Sequence, residues 1–505
     1  MAVKPARIAA VLAFFVVLAA GAAAEEPPLP DGLAGDEPAL SAGLDDEPAL
    51  PAGLGDEPAL PAGLDDGPAL PDGLAGDEPA LPDGLDNDSA PPEVEPREPL
   101  RLPFEFGGFW ETRGGLRTQQ AHRQKDATLG ESRLHVELDR RGARGGIGIV
   151  ADFLYDPVLD SPGIDLEQGR GWIDLRGANA YFPLGSFIDV KIGRQVLTWG
   201  TGDLRFINDL FPKDWVSFLL GRDMDYLKAP SDAAKVSIFG AHANLDIVYT
   251  PRFDPDRYIS GERASYYNAN LGGVAGRNAI VQADVPDRWF NDDELAARLY
   301  RNFGAYEAAL YGYHGRWKSP AGQDPIAQKA TFPRLSVYGA SVRGPVRRGI
   351  GNIEIGYYNS EQDRNGTDPL VRNSEFRALI GYEQDVPQIA RDFTVAMQYY
   401  LEHMMNHASY TNTLPPGQKA KDANWHVFTL RLTKLSWQQN LRLSLFTFYS
   451  PNENDAHFRP SANYKIDDHW TVELGANIFT GADDHTFFGQ FEDNTSVYAA
   501  LRYGF

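Results

Sequence analysis

The sequence predicts an all-β fold, namely a transmembrane, antiparallel, up-and-down β-barrel of about 18 strands (16–18) that follows a disordered N-terminal tail. Three observations favour this fold class. Apolar and polar residues alternate through most of residues 101–505, short and long connections alternate between the predicted strands, and the chain ends inside the alternating pattern at Phe505. A barrel with an apolar exterior and a polar lumen produces all three features.

Residues 1–24 have the composition of a secretory signal segment. Lys4 and Arg7 precede an apolar run at 8–20, and three alanines at 22–24 precede Glu25. The run is too short for a transmembrane helix, and no other apolar run reaches the roughly 18 residues that such a helix needs. The chain has no cysteine, so a membrane location would depend on strands, without a lipid anchor on cysteine or disulfides.

Residues 25–100 form a separate segment that repeats an acidic decapeptide of the type DEPALPAGLD (56–65). The segment holds 21 acidic residues and one basic residue, Arg97, which gives it a net charge of −20 out of −23 for the whole chain. Its prolines, glycines and few leucines cannot bury enough apolar surface to offset the entropy of ordering. We therefore expect a disordered periplasmic tail ahead of a barrel domain at 101–505.

The barrel domain divides into eighteen predicted strands. Their apolar faces, such as Phe428/Leu430/Leu432, would contact lipid, and the opposite faces would line a polar lumen. The predicted strands are 104–118, 131–139, 145–155, 171–182, 187–198, 233–240, 243–251, 293–301, 304–314, 334–344, 349–359, 374–385, 392–402, 424–434, 439–449, 458–466, 469–479 and 495–505. About 14% of the residues in this domain are aromatic, and many lie near strand ends, as in an aromatic girdle.

Short and long connections alternate between these strands. Tight turns such as 140–145 and 467–469 alternate with long segments such as 199–232 and 252–292. Bacterial barrels have tight periplasmic turns and longer extracellular loops, which requires an even strand count with both ends in the periplasm. A secreted β-sandwich or propeller also alternates, but it would not explain the aromatic girdle or the terminal Phe505.

The last strand, NTSVYAALRYGF (494–505), places Val497, Leu501 and Tyr503 on the same face as Phe505. This ending resembles the final strand of Gram-negative outer-membrane β-barrel proteins. The resemblance implies that Tyr503 and Phe505 form an assembly signal read by the barrel-assembly machinery. The GRQVLTWG run (193–200) resembles porin-like proteobacterial families, including alginate-export-like and uncharacterised barrels, and it covers under a tenth of the chain.

The long connection at 199–232 is the third on its side of the barrel, the position that folds inward and narrows the pore in many porins. Nine apolar residues, among them Phe206, Ile207 and Trp215, are too many for a loop in water. The segment 214–221 could form one or two helical turns capped by Asp214. The candidate pore and constriction residues are Lys191, Gln195, Arg205, Asp209, Lys213, Asp214, Arg222, Asp223, Asp225 and Lys228.

Further charged residues fall on predicted lumen faces, and their balanced signs leave ion selectivity open. These lumen candidates are Arg133, His135, Glu137, Glu354, Arg431, Arg442, Glu473 and Arg502. His135 is expected to line the pore or to be structural. Asp483, Asp484 and His485 are closest to a rim catalytic cluster, and His403 with His407 has the spacing of two metal ligands but lacks a carboxylate. We expect no catalytic residues, metal or cofactor.

The sequence therefore predicts a channel for passive diffusion of small polar solutes in the Gram-negative outer membrane, with selectivity left open. Its expected partners are outer-membrane lipid, lipopolysaccharide and the barrel-assembly machinery. The solute is unknown, a homotrimer is left open, and nucleic acid is not expected because the chain is not basic. Two alternatives remain: an export conduit with periplasmic partners, and an outer-membrane hydrolase. The acidic tail is expected to be a spacer or tether, with an electrostatic gate at the periplasmic mouth as the alternative.

Overall fold

The computed structural model describes residues 104–142, 144–159, 163–414 and 419–505. The predicted signal segment and acidic tail lie outside these residues. Within them, eighteen antiparallel strands form one closed sheet in which each strand pairs with its neighbours along the chain. The strands are β1 Glu105–Arg117, β2 Ala127–Gly142, β3 Gly145–Tyr155, β4 Ile173–Pro183, β5 Ile188–Val196, β6 Pro230–Phe239, β7 Asn244–Thr250, β8 Glu294–Phe303, β9 Tyr306–Arg316, β10 Arg334–Val346, β11 Gly349–Ser360, β12 Glu375–Asp385, β13 Phe393–Met404, β14 Asn424–Ser436, β15 Leu441–Ser450, β16 Asp455–Lys465, β17 Trp470–Gly481 and β18 Ser496–Gly504. The predicted fold class is confirmed.

The largest differences in where the strands begin are at β2, β6 and β16. Each of these strands begins three or four residues earlier than its alternation predicts. The added residues lie next to connections on the long-loop side, where the two faces no longer differ in polarity. Hydrogen bonding to neighbouring strands therefore extends beyond the amphipathic pattern.

The barrel closes where β1 pairs with β18, in a register that runs from Phe109 opposite Gly504 to Arg117 opposite Ser496. The pairing continues to the last residue, because Phe505 donates to the carbonyl of Gly108 at 3.1 Å and accepts from its amide at 3.3 Å. The Phe505 ring also stacks on Phe106 at 5.6 Å between centroids. The terminal strand is therefore a closing strand, as its alternation predicts.

Replacing Phe505 with Asp should impair assembly far more than it alters the properties of molecules that do assemble. The substitution removes the Phe106 stack and puts a charge in the outward row of the closing strand, where lipid would face it. The test is the amount of folded, heat-modifiable protein in the outer membrane, with Phe505→Tyr as the matched control. Normal levels of the Asp variant would contradict an assembly role for this residue.

The outward and inward faces of the strands differ in chemistry, as the alternation predicts. Apolar side chains are exposed on the outside of the barrel, including Trp110, Leu134, Ile149, Phe153, Leu299, Leu310, Ile353, Ile380, Met397, Phe428, Leu474 and Val497. Charged side chains between these positions are buried inside, including Glu111, Arg113, Glu131, Arg133, Asp152, Glu354, Glu375 and Arg459. The closed sheet therefore has an apolar outer surface around a charged interior.

Connections on one side of the barrel are all short, and most on the other side are long. The exception is the four-residue turn 451–454, which joins β15 to β16 on the long-loop side. Two of the long loops carry their own hairpins, Tyr266–Asn268 with Gly273–Ala275 and Gly322–Asp324 with Lys329–Thr331. Among the described residues, no helix is long and apolar enough to cross a membrane.

Candidate constriction in the barrel lumen

The connection between β5 and β6, residues 197–229, runs through the interior of the barrel; we call it the inner loop. Its Arg222 contacts Glu131 on β2, its Asn208 contacts Glu354 on β11, and its Asp203 pairs with Arg431 on β14. Strands 2, 11 and 14 of an eighteen-stranded barrel lie on different sides of the lumen. A loop that reaches all three must cross the lumen, as its apolar residues predict.

The apolar residues of the inner loop pack against the inner wall. Ile207, Phe211 and Leu219 are buried in the cluster that also contains wall residues such as Phe446 and Phe479. This burial offsets the cost of fixing a long segment inside the barrel. The loop therefore packs its hydrophobic side against the wall. Polar groups of the loop face the part of the lumen that the loop does not fill.

A short helix in the inner loop, α1 (Trp215–Leu220), forms where the sequence predicts it. The side chain of Asp214 accepts a hydrogen bond from the amide of Ser217 at 2.7 Å and caps the first turn. Gly221 ends the helix with φ of 81°, a left-handed conformation that favours glycine. A side chain at this position would also collide with Tyr498 on β18, so Gly221 allows the loop to lie directly against the wall.

Glu354 on β11 anchors the N-terminal half of the inner loop. Its carboxylate accepts hydrogen bonds from the amide and side chain of Asn208 at 2.7 and 3.0 Å, and from the amide and hydroxyl of Thr201 at 2.8 and 3.1 Å. The side chain is about 1% exposed. Four donors around one buried carboxylate fix the loop against this strand, so Glu354 holds the loop and is not presented to solvent.

Glu131 on β2 anchors the opposite end of the inner loop. Arg222 of the loop donates through Nε to both carboxylate oxygens at 2.9 and 3.0 Å. Arg133 Nη2 lies 3.2 Å from the same carboxylate, and Arg263 of the next long loop lies 3.9 Å away. One buried carboxylate thus balances three guanidinium groups from the wall and two loops.

A second charge network joins the closing strands to the turn after α1. Arg113 donates to Glu473 at 2.8 Å, to Glu111 at 3.0 Å, and to the carbonyl of Gly221 at 2.7 Å. Arg502 pairs with Glu111 at 2.8 Å and with Asp223 at 2.7 Å. Burial alone would raise the pKa of Asp223, but Arg502, the amide of Asp225 and Arg113 together lower it. The ionised network ties the inner loop to the strands that close the barrel.

The predicted lumen residues His135 and Glu137 belong to a third network with Arg133. His135 Nδ1 lies 2.5 Å from Asp152, and its Nε2 lies 2.9 Å from Glu137. Arg133 pairs with the same Asp152 and lies over the ring of Tyr226 in the inner loop at 4.0 Å. Both nitrogens of this histidine face carboxylates, so the geometry is that of a structural or pore-lining group.

The predicted constriction residues divide into buried and accessible sets. Gln195, Asp209, Lys213 and Asp214 are buried: Lys213 pairs with Asp209 at 2.8 Å, and Gln195 donates to the carbonyl of Ala233 at 3.0 Å. Asp225 is exposed, and the half-buried members are Lys191, Arg205, Arg222, Asp223 and Lys228. The buried set has its charges satisfied between loop and wall, whereas the other members keep part of their surface exposed.

The remaining lumen candidates lie nearer the short-turn side. Arg431 pairs with Asp203 at 3.0 Å and with Glu383 at 2.7 Å, and it is about one-third exposed. Arg442 is exposed on β15. Of the two predicted assembly residues, Tyr503 packs its ring at a tilt against Trp470, with centroids 4.9 Å apart, and Phe505 pairs with Gly108 at the barrel seam. The assembly role of both stays a prediction.

The sequence reasoning missed the aromatic cage, by which we mean the five rings of Tyr400, Trp425, Phe448, Phe487 and Phe488 around the guanidinium of Arg205. Its Cζ lies 4.6 to 5.7 Å from the five ring centroids. Burial lowers the pKa of Arg205 below its ordinary value. The available signal was the placement of Tyr400, Trp425 and Phe448 on inward positions, where the pattern otherwise has polar residues.

Two other predicted clusters do not converge on a reactive site. His403 contacts Asn424 at 2.7 Å, and His407 contacts the carbonyl of Lys421 at 2.7 Å. Asp483 pairs with Lys419 at 3.3 Å, and the ring of His485 lies beside Tyr267 at 6.1 Å. Among the described residues, no group of three or more histidine and acidic side chains is placed to hold a metal ion.

Glu453 lies in the turn 451–454 at the long-loop rim. Its protonation should affect the stability of the loop that contributes Phe487 and Phe488 to the cage. Its carboxylate accepts from the amide of Phe487 at 2.9 Å. Burial, with Asp455 and Asp422 adding to it, raises the pKa of Glu453 to about 7. Because this pKa is above the ordinary value, protonated Glu453 stabilises the folded state. This contribution to the free energy of unfolding is complete below about pH 4.5 and is lost as the pH rises through about 7.

We therefore expect the unfolding temperature to fall between about pH 4.5 and 7 through this group, and Glu453→Gln to remove that part of the fall. The measurement is thermal unfolding in detergent across this pH range for both proteins. Glu361→Gln, at another long-loop rim, is the matched control. The same pH slope in the wild type and the Glu453 variant would show that Glu453 is not responsible.

Comparison with known proteins gives only structural similarity. No protein-family model and no curated protein matches the sequence, so the alginate-export-like resemblance stays a prediction. Among solved structures, Acinetobacter baumannii OccAB4 is similar with a TM-score of 0.47 and 9% identity, covering 79% of this chain and 97% of that one. OccAB1 from the same organism is similar with a TM-score of 0.46 and 10% identity, covering 79% of this chain and 95% of that one. Pseudomonas aeruginosa OccK3 (OpdO) is similar with a TM-score of 0.44 and 12% identity, covering 79% of this chain and 96% of that one.

Proposed function

We propose that the chain is an outer-membrane channel for passive diffusion of small polar solutes. The observation that carries this proposal is the closed barrel with an exposed apolar exterior and a charged interior crossed by the inner loop. A closed sheet satisfies its backbone hydrogen bonds without water, which a lipid environment requires. The large apolar outer surface would be unfavourable in water and matches lipid.

The inner loop is the proposed constriction. It is fixed at Glu131 and Glu354, so its accessible groups, including Asp225, have defined positions in the lumen. The lumen places charges of both signs close to one another. This arrangement favours the passage of small polar solutes and does not select strongly for ions of one sign.

The proposed location and orientation follow from the same features. With an even number of strands and short turns on one side, both chain ends are on the periplasmic side and the long loops are extracellular. The barrel-assembly machinery, lipid and lipopolysaccharide are the proposed partners. We propose no catalytic role, because both ring nitrogens of His135 face carboxylates.

Planar-bilayer recording of the purified protein tests this function. A channel gives discrete current steps, and liposomes that contain it swell in solutions of small sugars or amino acids. A barrel enzyme or a scaffold with a filled lumen gives neither signal. Heat-denatured protein serves as the control, and folded protein without steps or swelling would contradict the proposal.

A further inference from the structure

Arg205 is half-buried as a residue, and its guanidinium is held in the cage in an unusual way. The guanidinium contacts five aromatic rings, the nearest being Trp425 at 4.6 Å. Its Nε and Nη2 are enclosed and have no hydrogen-bond partner among the described residues. Most buried guanidinium groups in this barrel, such as those of Arg113 and Arg257, instead bind carboxylates. The rings therefore hold Arg205 mainly through cation–π attraction and burial.

The cage walls come from elements that do not depend on Arg205 for their position. Tyr400, Trp425 and Phe448 lie on three consecutive barrel strands, β13, β14 and β15. The Trp425 indole donates to Ser450 at 3.1 Å, and the amide of Phe488 donates to Asp455 at 2.7 Å. The site is thus built by the wall and by the β17–β18 loop, and Arg205 enters it as a separate element.

The segment that carries Arg205 is a tight turn of the inner loop. A side chain on Gly202 would collide with the carbonyl of Arg205, and Leu204 has a φ of 58°, which a leucine rarely adopts. Local strain of this kind persists when neighbouring contacts hold it. The cage supplies such a contact, so release of Arg205 would free the turn to relax.

The cage lies at the long-loop mouth of the barrel. Trp425 is the second residue of β14, at its long-loop end, and Phe487 belongs to the β17–β18 loop and is 40% exposed. Glu402 and Asp455 act on Arg205 as nearby negative charges, and Arg377 acts on it as an opposing positive charge. A weakly hydrated cation that entered from this side would meet aromatic faces and negative charge together.

We propose that the aromatic cage is a binding site for small organic cations of the guanidinium type, and that such a cation competes with Arg205 for it. When a solute takes the cage, the turn at 202–206 is released and the constriction changes. The binding site stands on the geometry of the cage, whereas the effect on current rests on the proposed channel function.

The test uses folded, full-length protein with Arg205→Ala, which leaves the cage vacant, and methylguanidinium as the probe. Calorimetry should show saturable binding to this variant, with half-saturation on the order of 1 mM. Wild-type protein should bind at least ~10-fold more weakly because Arg205 occupies the site. Arg391→Ala, which removes an exposed arginine from a short turn, is the matched control and should behave as the wild type.

A second variant identifies the site. Adding Phe487→Leu to Arg205→Ala removes an exposed ring with little risk to folding and should weaken binding by at least ~5-fold. In bilayers, methylguanidinium at the millimolar concentrations that displace Arg205 should change the current of the wild-type protein, and sodium at equal ionic strength should not. The Arg205→Ala protein, whose turn is already released, should show a smaller change in current.

The outcomes separate the two proposals. Absence of saturable binding to folded Arg205→Ala protein, or binding that Phe487→Leu leaves unchanged, would overturn the cage as a cation site. Absence of current in every variant would overturn the channel function. The calorimetry would then still test whether the cage binds a cation. Binding to the wild-type protein without any change in its current would overturn the proposed link between the cage and the constriction.

Discussion

Replacing residues 204–227 with a short Gly-Ser linker should raise the single-channel conductance severalfold. This segment holds most of the apolar mass of the inner loop and its contacts with Glu131 and with the cage. Its removal widens the narrowest part of the proposed path, and conductance follows the open cross-section. The measurement is planar-bilayer recording of the variant beside the wild type.

Folding of this deletion variant must be established first, by heat modifiability on gels and by β-sheet circular dichroism. The matched control shortens a different long loop: residues 325–328, at the tip of the Gly322–Thr331 hairpin, are replaced with Gly-Ser. Ile326 in this tip is 94% exposed, so the change should leave the conductance unaltered. A folded deletion variant with wild-type conductance would show that the inner loop does not limit the flow of ions.

Glu131→Gln should lower the free energy of unfolding by about 3–5 kcal/mol, the cost of breaking a buried ion pair. The carboxylate is about 2% exposed and is shared by Arg222, Arg133 and Arg263. An amide removes the negative charge and leaves the nearby guanidinium groups without their common partner. The measurement is urea unfolding in detergent or lipid vesicles, followed by tryptophan fluorescence.

Glu167→Gln provides the comparison for the Glu131 variant. Glu167 pairs with Arg252 at the rim, where both side chains are partly exposed, and such pairs contribute about 0–1 kcal/mol. The unfolding free energies of the two variants should therefore differ by several kcal/mol, because only the Glu131 carboxylate is fully buried. Equal unfolding free energies for both variants would contradict the anchoring role of Glu131.

The sequence predicts the fold well because a barrel depends on a local pattern. Period-two alternation up to Phe505 sets the orientation of every strand relative to lipid and lumen, and alternating connection lengths set the strand count. The inner loop is also predicted, because residues such as Ile207 and Phe218 need a wall. These conclusions require only the spacing of residues along one segment.

The roles of individual charges in the site could not be predicted in the same way. Asp209 and Lys213 resemble pore-lining groups in the sequence, yet they neutralise each other inside the loop–wall contact at 2.8 Å. Glu354 binds the amide of Asn208, a partner 146 positions earlier in the chain. Which charge meets which partner depends on how distant strands are brought together, and no local spacing records this.

The most direct test of the central claim, that the inner loop lies in the lumen beside the path of solutes, uses the absence of native cysteine. Asp225→Cys places a single thiol on an exposed position of the inner loop, and Ala327→Cys places one at an outer hairpin tip. Charged methanethiosulfonate reagents are then added during single-channel recording. The account predicts that positive and negative reagents change the current and ion preference of the Asp225→Cys channel in opposite directions, with no effect on Ala327→Cys. Complete modification of Asp225→Cys, verified by mass, with unchanged current would contradict the account.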